Sequence, residues 1–161
     1  MKKIKLGGII EHKGLSLISI ENIPDRPGIA GLTFQTLSQR GINIEFIIHC
    51  LNQQGLSQVV FCVSRAQEKE ATVVLNEIKP RIGNPDFLVD SDIAVVSIFG
   101  PHFRERPGIA GTFFSALNSK GINIRAISTS ISTCSCVISS CDLLNAVKAI
   151  GEFFDVPGDE E

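Results

Sequence analysis

The sequence contains no tryptophan and no tyrosine, and methionine occurs once. Many proteins that bind single-stranded nucleic acid stack the bases on exposed aromatic rings, and the ten phenylalanines here fall mostly in helix-like patterns. A basic excess is also missing, because 15 lysine and arginine residues face 17 aspartate and glutamate residues. These absences argue against nucleic acid and against an anionic membrane surface as partners.

Long apolar segments are lacking too. The start of the chain, residues 1–10, is basic and then apolar, but two glycines interrupt it and three polar residues follow at once, so it does not match a secretion signal. No apolar run approaches the roughly 18 residues of a membrane-spanning helix. The five cysteines, an odd number, favour reduced thiols. We therefore expect a soluble, cytoplasmic protein without a membrane partner.

The motifs of catalysis and of cofactor binding are also missing from the sequence. It contains no phosphate loop of the Walker type, no Ser/His/acid order that suggests a triad, and no metal-ligand spacing. We therefore predict no catalytic residues, no metal site and no cofactor, and we expect that the protein is not an enzyme. A small enzyme is the alternative that the sequence favours least.

An internal repeat is the strongest positive feature. Segment 24–47, PDRPGIAGLTFQTLSQRGINIEFI, matches segment 104–127, RERPGIAGTFFSALNSKGINIRAI, with 13 identities in 24 positions and no gap. A repeat of this length indicates that one supersecondary unit occurs twice in the chain.

Each copy predicts the element order β-α-β-β-α. Apolar, β-branched runs at 15–23 and 93–99 predict strands that lead into an Arg-Pro-Gly turn and a helix. Two further strands and a second amphipathic helix follow in each copy, and Pro80 is expected to kink or shorten the second helix of the first copy.

The first helix of each copy carries start and stop signals. Pro27 and Pro107 suit the first residue of a helix, where the missing N–H group costs nothing. Gly41 and Gly121 follow the last helical turn, where a left-handed residue commonly ends a helix.

The two copies differ in their last strand. Residues 86–89 supply a fourth strand to the first copy, whereas the second copy ends in a polar tail, residues 156–161. A three-stranded sheet would leave an exposed edge, and the N-terminal run 3–10 is a spare strand, so we expect that it completes the second unit. The expected domains are therefore 15–90, and 93–155 together with the N-terminal strand 3–10.

The order β-α-β-β-α-β with a four-stranded antiparallel sheet is the ferredoxin-like arrangement of the α+β class. The loop Pro-Asp-Arg-Pro-Gly-Ile-Ala and the later Gly-Ile-Asn-Ile resemble the ACT domain family. In the second copy, the sequences at 121–124, 127–130 and 136–138 are similar to the C-terminal regulatory region of aspartate kinases. The resemblance covers essentially the whole chain. It implies two tandem ACT domains without the kinase domain, as in a separate regulatory subunit or a free-standing ACT protein.

The resemblance also implies a ligand and its position. In the family, a free amino acid of the lysine or threonine class binds where the first strand–helix loop of one ACT unit meets the second strand of a partner unit. A helix N-terminus suits the α-carboxylate, and an acidic side chain suits the α-ammonium group or a lysine side chain. The effector-binding residues implied are Asp25, Arg26, Gly28, Ile29, Ala30, His49, Asn123, Ile124, Ser128, Thr129 and Ser130.

Positions of the second loop and its partner strand form a second set of candidates. These are Glu105, Gly108, Ile109, Ala110, Asn43 and Ile44. The sequence departs from the family at two places: His49 stands where the kinases often have glutamine, and Ile131 stands where they often have glutamate. Each candidate also has a structural interpretation, since Pro-Gly turns, helix-end acids and polar strand faces are common without ligands.

The expected function is therefore allosteric. Two chains pair as a homodimer through their ACT units, an amino-acid effector changes that packing, and a kinase, possibly a separate subunit, responds. One alternative is a subunit that mediates association without a ligand.

Another alternative is a thiol or soft-metal sensor that uses Cys134, Cys136 and Cys141. Cysteines two apart lie on one face of a strand, which would suit either role. Cysteine is also a common buried apolar residue, and this structural interpretation is the one that we favour.

Overall fold

The computed structural model describes residues 3–101 and 103–158. The last residues of the expected polar tail, 159–161, lie outside the described residues. The strands are β1 (Ile4–Lys5), β2 (Gly8–Pro24), β3 (Phe46–Leu51), β4 (Leu56–Ser64), β5 (Asp86–Phe99), β6 (Ala126–Thr129), β7 (Thr133–Ser139) and β8 (Phe154–Asp155). The helices are α1 (Ile29–Gln39), α2 (Glu68–Ile78), α3 (Ile109–Ser119) and α4 (Leu143–Phe153). No helix among the described residues has the length and apolar character needed to span a bilayer.

The chain divides into two compact units. The first-repeat unit is Gly14–Asp92, and the second-repeat unit combines the chain through Lys13 with the chain from Ile93 onward. The N-terminal segment therefore groups with the second repeat, as the predicted fold class requires.

Hydrogen bonds hold the N-terminal segment within the second-repeat unit. The short strand β1 pairs in parallel with β8, with Ile4 opposite Phe154. Beyond it, the Gly7 amide donates to the carbonyl oxygen of Phe99 at 2.7 Å. The start of the chain thus lies beside both the end of β5 and the last strand of this unit.

Two strands are longer than expected. The sequence predicts separate strands at 3–10 and 15–23, but from Gly8 to Pro24 the chain is one strand, β2. Likewise, 86–89 and 93–99 belong to one strand, β5. The polar, exposed residues at 11–13 resemble a loop in sequence, yet a strand is held by backbone groups, which are the same whatever the side chains.

The first-repeat unit is built on antiparallel pairs. β2 pairs with β4, from Leu15 opposite Ser64 to Pro24 opposite Leu56, and β4 also pairs with the edge strand β3. The β2–β4 register shifts between Ile20 and Ile23, beside Asn22, whose φ is 58°. The bulge lets β2 stay paired as far as the turn that enters α1.

The second-repeat unit has the same core pairing. β5 pairs antiparallel with β7, and β7 pairs with the edge strand β6. This hairpin is shorter, because β6 spans only Ala126–Thr129.

Both first helices end as the sequence predicts. After α1, Gly41 has φ 70°, its amide donates to the Ser38 carbonyl, and the Ile42 amide donates to the Leu37 carbonyl. The same pair of bonds recurs around Gly121 after α3. This is the Schellman arrangement, which needs a left-handed residue that glycine adopts without strain.

The predicted helix starts are wrong by two residues. α1 begins at Ile29 and α3 at Ile109, whereas Pro27 and Pro107 lie in the preceding turns. Gly28 and Gly108 are the N-cap residues, with φ of 94° and 92°. A left-handed residue cannot be part of a right-handed helix, so the helices begin after the glycines.

Each unit has its own apolar core. In the first-repeat unit, Ile18 and Phe61 from the sheet pack with Leu37 of α1 and Leu75 of α2. In the second-repeat unit, the core of α3, α4, β5 and β7 also includes Leu6 from the N-terminal segment. Burial of these side chains contributes roughly 1.5–3 kcal/mol each.

Candidate functional site

The turn that enters α1 presents unpaired backbone donors. No side chain caps the helix at Gly28, and the first helical hydrogen bond joins the Leu32 amide to the Gly28 carbonyl at 2.8 Å. The amides before Leu32 therefore have no acceptor within the helix. A Cβ atom on Gly28 would meet nothing within 4 Å, so the left-handed backbone, rather than crowding, requires the glycine.

The β3–β4 hairpin forms the other wall of the site. His49 of β3 lies opposite Val59 of β4, and Ser57 of β4 lies opposite Ile23 of β2. Since alternate residues of a strand share a face, Ser57 lies on the same face of β4 as Val59 and Phe61, which is the face that carries the core.

These two walls enclose a cavity of about 320 Å³, which we call the loop cavity. Its lining residues are Ile23, Pro24, Asp25, Arg26, Pro27, Gly28, Ile29, Ala30, His49, Ser57 and Val59. Asp25, Arg26, Gly28, Ile29, Ala30 and His49 are thus six residues of the predicted effector set that the fold brings to one place. A volume of this size suits a small ligand.

Charge in the loop cavity comes from one carboxylate and one guanidinium group, those of Asp25 and Arg26. Both side chains are exposed, and neither forms an ion pair or hydrogen bond with another described residue. The imidazole of His49 adds a group that both donates and accepts hydrogen bonds. The cavity therefore offers opposite charges side by side, next to helix amides.

Ser57 is the buried polar residue of the loop cavity. The residue is only 5 % exposed, and no buried side-chain nitrogen or oxygen atom of the described residues lacks a hydrogen-bond partner. The sequence analysis did not identify Ser57, because a serine in a strand ordinarily lies on the solvent-exposed face. The signal was the alternation along β4, which places Ser57 two residues from the core residue Val59 and on its face.

Arg26 and its neighbours also border a second concavity, of about 280 Å³, on the side of the turn that faces Leu32 and Arg81. Arg81 lies in the 3-10 turn that follows α2. Close contact fixes this turn, since a Cβ on Gly83 would lie 2.6 Å from the ring of Pro24. The turn that enters α1 therefore packs closely against the 3-10 turn of the same unit.

The remaining candidates of the main set do not line the loop cavity. Asn123 and Ile124 lie between α3 and β6, Ser128 and Thr129 lie in β6, and Ser130 lies in the turn after it. All five belong to the second-repeat unit. Their role in an effector site stays a prediction.

The second-loop candidates are divided between the units. Glu105, Gly108, Ile109 and Ala110 lie at the start of α3, where Ile109 is buried in the core. Asn43 and Ile44 lie before β3, where Asn43 donates to the Glu45 carboxylate at 2.8 Å and Ile44 packs on the core.

The cysteines are separated by burial. Cys134 and Cys136 lie inside the core of the second-repeat unit, whereas Cys141 is exposed. The hydrogen bond between Cys134 and Cys136, together with burial, raises the pKa of Cys136, whereas the same bond lowers the pKa of Cys134. Burial raises the pKa of Cys62 to about 12. Protonated thiols are poor nucleophiles and metal ligands, which argues against such a role for Cys136 and Cys62. Within residues 3–101 and 103–158, no group of three or more potential metal ligands comes together.

Comparisons with known proteins agree with this architecture. A family model described as ACT domain matches residues 96–154. The chain is 31% identical over 163 residues to an aspartokinase of Mycolicibacterium smegmatis, which covers 100% of this chain and 39% of the relative. The chain thus spans about two-fifths of the length of the curated relatives that it matches.

Solved structures extend the likeness to whole chains. The regulatory subunit of aspartate kinase from Thermus thermophilus, in its ligand-free form, is 31% identical with a TM-score of 0.84, and 93% of this chain and 99% of that chain are covered. Aspartate kinase from Synechocystis is 28% identical with a TM-score of 0.87, over 97% of this chain and 28% of that chain. The chain belongs to the ACT domain family and, within it, to the regulatory regions of aspartate kinases.

Proposed function

We propose that this regulatory region binds a free amino acid in the loop cavity and controls an aspartate kinase, or a related enzyme of amino-acid biosynthesis, without catalysis of its own. The observation that carries the proposal is the meeting of Asp25, Arg26, the α1 N-terminus and His49 in one cavity of about 320 Å³.

The chemistry of the cavity matches a zwitterion. The uncapped amides of α1 and the Arg26 guanidinium are donors for an α-carboxylate. The Asp25 carboxylate is an acceptor for the α-ammonium group. The side chain of the ligand then lies against the hairpin wall formed by His49, Ser57 and Val59.

The proposal includes pairing of two copies through their ACT units. β3 is an edge strand, and its Ile47 and Leu51 are 46% and 56% exposed. An edge strand with exposed apolar residues is a surface onto which a further strand can add. Residues of a partner ACT unit, such as Asn123 or the segment 128–130, are then candidates to close the effector site.

Regulation requires that the effector bind two packing states with different affinity. The differential part of the binding free energy is typically about 1–3 kcal/mol, which changes a partner's equilibrium by about 5–150-fold. A kinase domain or subunit attached to this region would respond to that difference.

Thermal melting with saturating free amino acids tests the proposal. At least one amino acid should raise the melting temperature, because a ligand that binds only the folded state stabilises it. Asp25→Asn should remove the shift, whereas Asp86→Asn, an equal charge change outside the cavity in the same unit, should retain it. Glu105→Gln then shows whether the second loop contributes.

Two results would contradict the proposal. One is the absence of a shift with every amino acid, and if the chain still dimerises and captures a kinase, the association-only alternative is favoured. The other is a shift that survives Asp25→Asn, which would place the ligand elsewhere.

A further inference from the structure

The second concavity at the turn into α1 contains two cations and no acid. We call it the arginine cavity; its volume is about 280 Å³, and its lining residues are Arg26, Pro27, Gly28, Ile29, Leu32 and Arg81. Both arginines are exposed, and neither has an ion-pair or hydrogen-bond partner among the described residues. In a chain whose net charge is −2, the arginine cavity is therefore a local concentration of positive charge.

The backbone at Arg81 is fixed beside the turn into α1. The next residue, Ile82, is fully buried in the core of the first-repeat unit. Gly83 lies so close to Pro24 that an added Cβ would be 2.6 Å from the proline ring. The two guanidinium groups thus reach the arginine cavity from different elements, Arg26 from the loop before α1 and Arg81 from the turn after α2.

Two guanidinium groups at one cavity favour an oxyanion that carries more than one charge. Each guanidinium is a planar fork that stays charged and binds phosphate oxygens through paired hydrogen bonds. A phosphoryl group carries roughly two negative charges at neutral pH and several acceptor oxygens, so it can pair with both arginines at once. A free amino acid suits the arginine cavity less well, because its ammonium group would find no carboxylate among the lining residues.

The second repeat has only half of this arrangement. Arg106 is the repeat equivalent of Arg26. Arg81 lies three residues after the end of α2, whereas the residue three positions after the end of α4 is Val156, which packs on the apolar core. The arginine pair is therefore a property of the first repeat, and Arg106 offers a matched control.

The arginine cavity and the loop cavity share one wall. Residues 26–29 line both cavities, whereas Asp25 lines only the loop cavity and Arg81 lines only the arginine cavity. The Arg26 guanidinium cannot give its full set of hydrogen bonds to an anion in each cavity, and two anions on either side of it repel each other. Occupation of one cavity by an anion should therefore weaken binding in the other.

We propose that the arginine cavity binds a phosphoryl group, as inorganic phosphate or as a phosphate monoester, through Arg26 and Arg81, and that this anion weakens amino-acid binding in the loop cavity. The antagonism rests on the proposed effector role of the loop cavity, whereas the anion site does not. Because coupling between two sites is reciprocal, an amino acid in the loop cavity weakens phosphate binding by the same factor.

Calorimetric titration of the chain with inorganic phosphate, at an ionic strength held constant with sodium chloride, tests the anion site. Arg81→Gln should weaken phosphate binding about tenfold or more, as loss of hydrogen bonds to a charged group does. Arg106→Gln removes the same charge from the equivalent turn of the second repeat and should leave the affinity for phosphate unchanged. The melting temperature of each ligand-free variant checks that it folds.

Two results would overturn the anion site. One is the absence of phosphate binding beyond that of the ionic-strength control. The other is an equal loss of affinity in Arg81→Gln and Arg106→Gln. Adenosine monophosphate in the same titration distinguishes the sources of the phosphoryl group, since tighter binding than that of inorganic phosphate identifies a phosphate monoester.

Titrations of threonine and of lysine, each with and without saturating phosphate, test the antagonism. Phosphate should weaken amino-acid binding to the wild type by about fivefold or more. Arg81→Gln should bind the amino acid as the wild type does without phosphate, because Arg81 lies outside the loop cavity, and added phosphate should no longer weaken that binding.

The outcomes separate this inference from the proposed function. If phosphate binds through Arg81 and no amino acid binds, the proposed function fails and the anion site stands. If an amino acid binds equally well with and without phosphate, the antagonism is overturned and the effector role stands. An effect of phosphate that persists in Arg81→Gln would overturn the assignment to the arginine cavity.

Discussion

The same sequence, Arg-Pro-Gly-Ile-Ala, enters α1 and α3, but the chain reaches it by different routes in the two repeats. In the first, β2 stays paired with β4 through the Asn22 bulge to Pro24, which leaves residues 25–28 for the turn. In the second, β5 ends at Phe99, and residues 100–108 precede α3. The repeated motif fixes the helix start, whereas the strand before it decides which side chains lie beside the turn.

The interiors of the repeats differ in the same way. Thr33 of α1 and Phe113 of α3 are equivalent and both buried, but only Phe113 places an aromatic ring in the core at this position. Ser16 donates a hydrogen bond to Glu68 in the first repeat, where the second has the apolar residues Ala94 and Leu143. At these equivalent positions the interior of the first repeat is more polar than that of the second. The first repeat is also the one that contains the loop cavity.

Truncation of the equivalent helix residues should give the largest contrast. Phe113→Ala should lower the free energy of unfolding by about 3–5 kcal/mol, because the ring is fully buried and leaves a cavity. Thr33→Ala should cost about 1 kcal/mol or less, since its hydroxyl only bonds the Ile29 carbonyl within the same helix. Urea unfolding measures both, and equal losses would contradict the contrast.

The N-cap glycines should instead behave alike. Gly28→Ala and Gly108→Ala should each cost about 1–2 kcal/mol, because alanine is strained at a left-handed φ and neither Cβ meets a neighbour. Chemical denaturation of the two variants tests the equality. A loss confined to one of them would show that the shared motif does not have the same backbone role in both repeats.

The polar pair should make the first repeat the more sensitive to acid. Hydrogen bonds from Ser16 and then Ser91 lower the pKa of the Glu68 carboxyl below its ordinary value of 4.5. A lowered folded-state pKa stabilises the fold above the unfolded value, and this stability is lost as the pH falls through the folded value. Ser16→Ala should therefore lower the free energy of unfolding at neutral pH. The difference in unfolding free energy between the wild type and the variant should become smaller below pH 4.5.

Urea midpoints of the wild type and of Ser16→Ala at a series of pH values measure that narrowing. Ala94→Val, at the equivalent apolar position, supplies a variant whose effect should not change over the same pH range. A gap between wild type and Ser16→Ala that stays constant into acid would argue against the Glu68 carboxylate as the cause.

The smallest contrast concerns surface ion pairs between the two helices of each repeat. Arg40 contacts Glu70 at 2.8 Å and Glu77 at 2.9 Å, whereas Lys120 contacts Glu152 at 2.7 Å. Arg40→Ala should lower the melting temperature slightly more than Lys120→Ala, and high salt should remove the difference. A difference that persists in salt would point to packing rather than charge.

Local signals made much of the fold predictable. Gly41 and Gly121 were placed correctly because a left-handed helix end is a property of a few consecutive residues. The helix starts at Pro27 and Pro107 were wrong because the glycine that follows each proline is itself left-handed. The length of β2 was missed because the side chains at 11–13 are polar and exposed, which is typical of a loop, although the backbone there is extended.

The residues of the candidate site also differ in how far local sequence predicts them. Asp25, Gly28 and Ala30 are close in sequence to a recognisable turn, so they could be proposed from the sequence, and the resemblance added His49. Ser57 and Val59 come from another strand, and their approach depends on the register of β4 against β2. Register is a property of the assembled sheet, so no short sequence motif predicts it.

The continuity of β2 and β5 limits where recombination can divide the gene of such a chain. β2 passes between the units at Lys13 and Gly14, and β5 passes between them at Asp92 and Ile93. A gene fragment that begins at residue 93 would encode the second repeat without the strand residues that precede Gly14. A crossover at this point therefore leaves the second repeat incomplete, whereas the first-repeat unit, Gly14–Asp92, is contiguous and stays whole in a fragment that ends at residue 92.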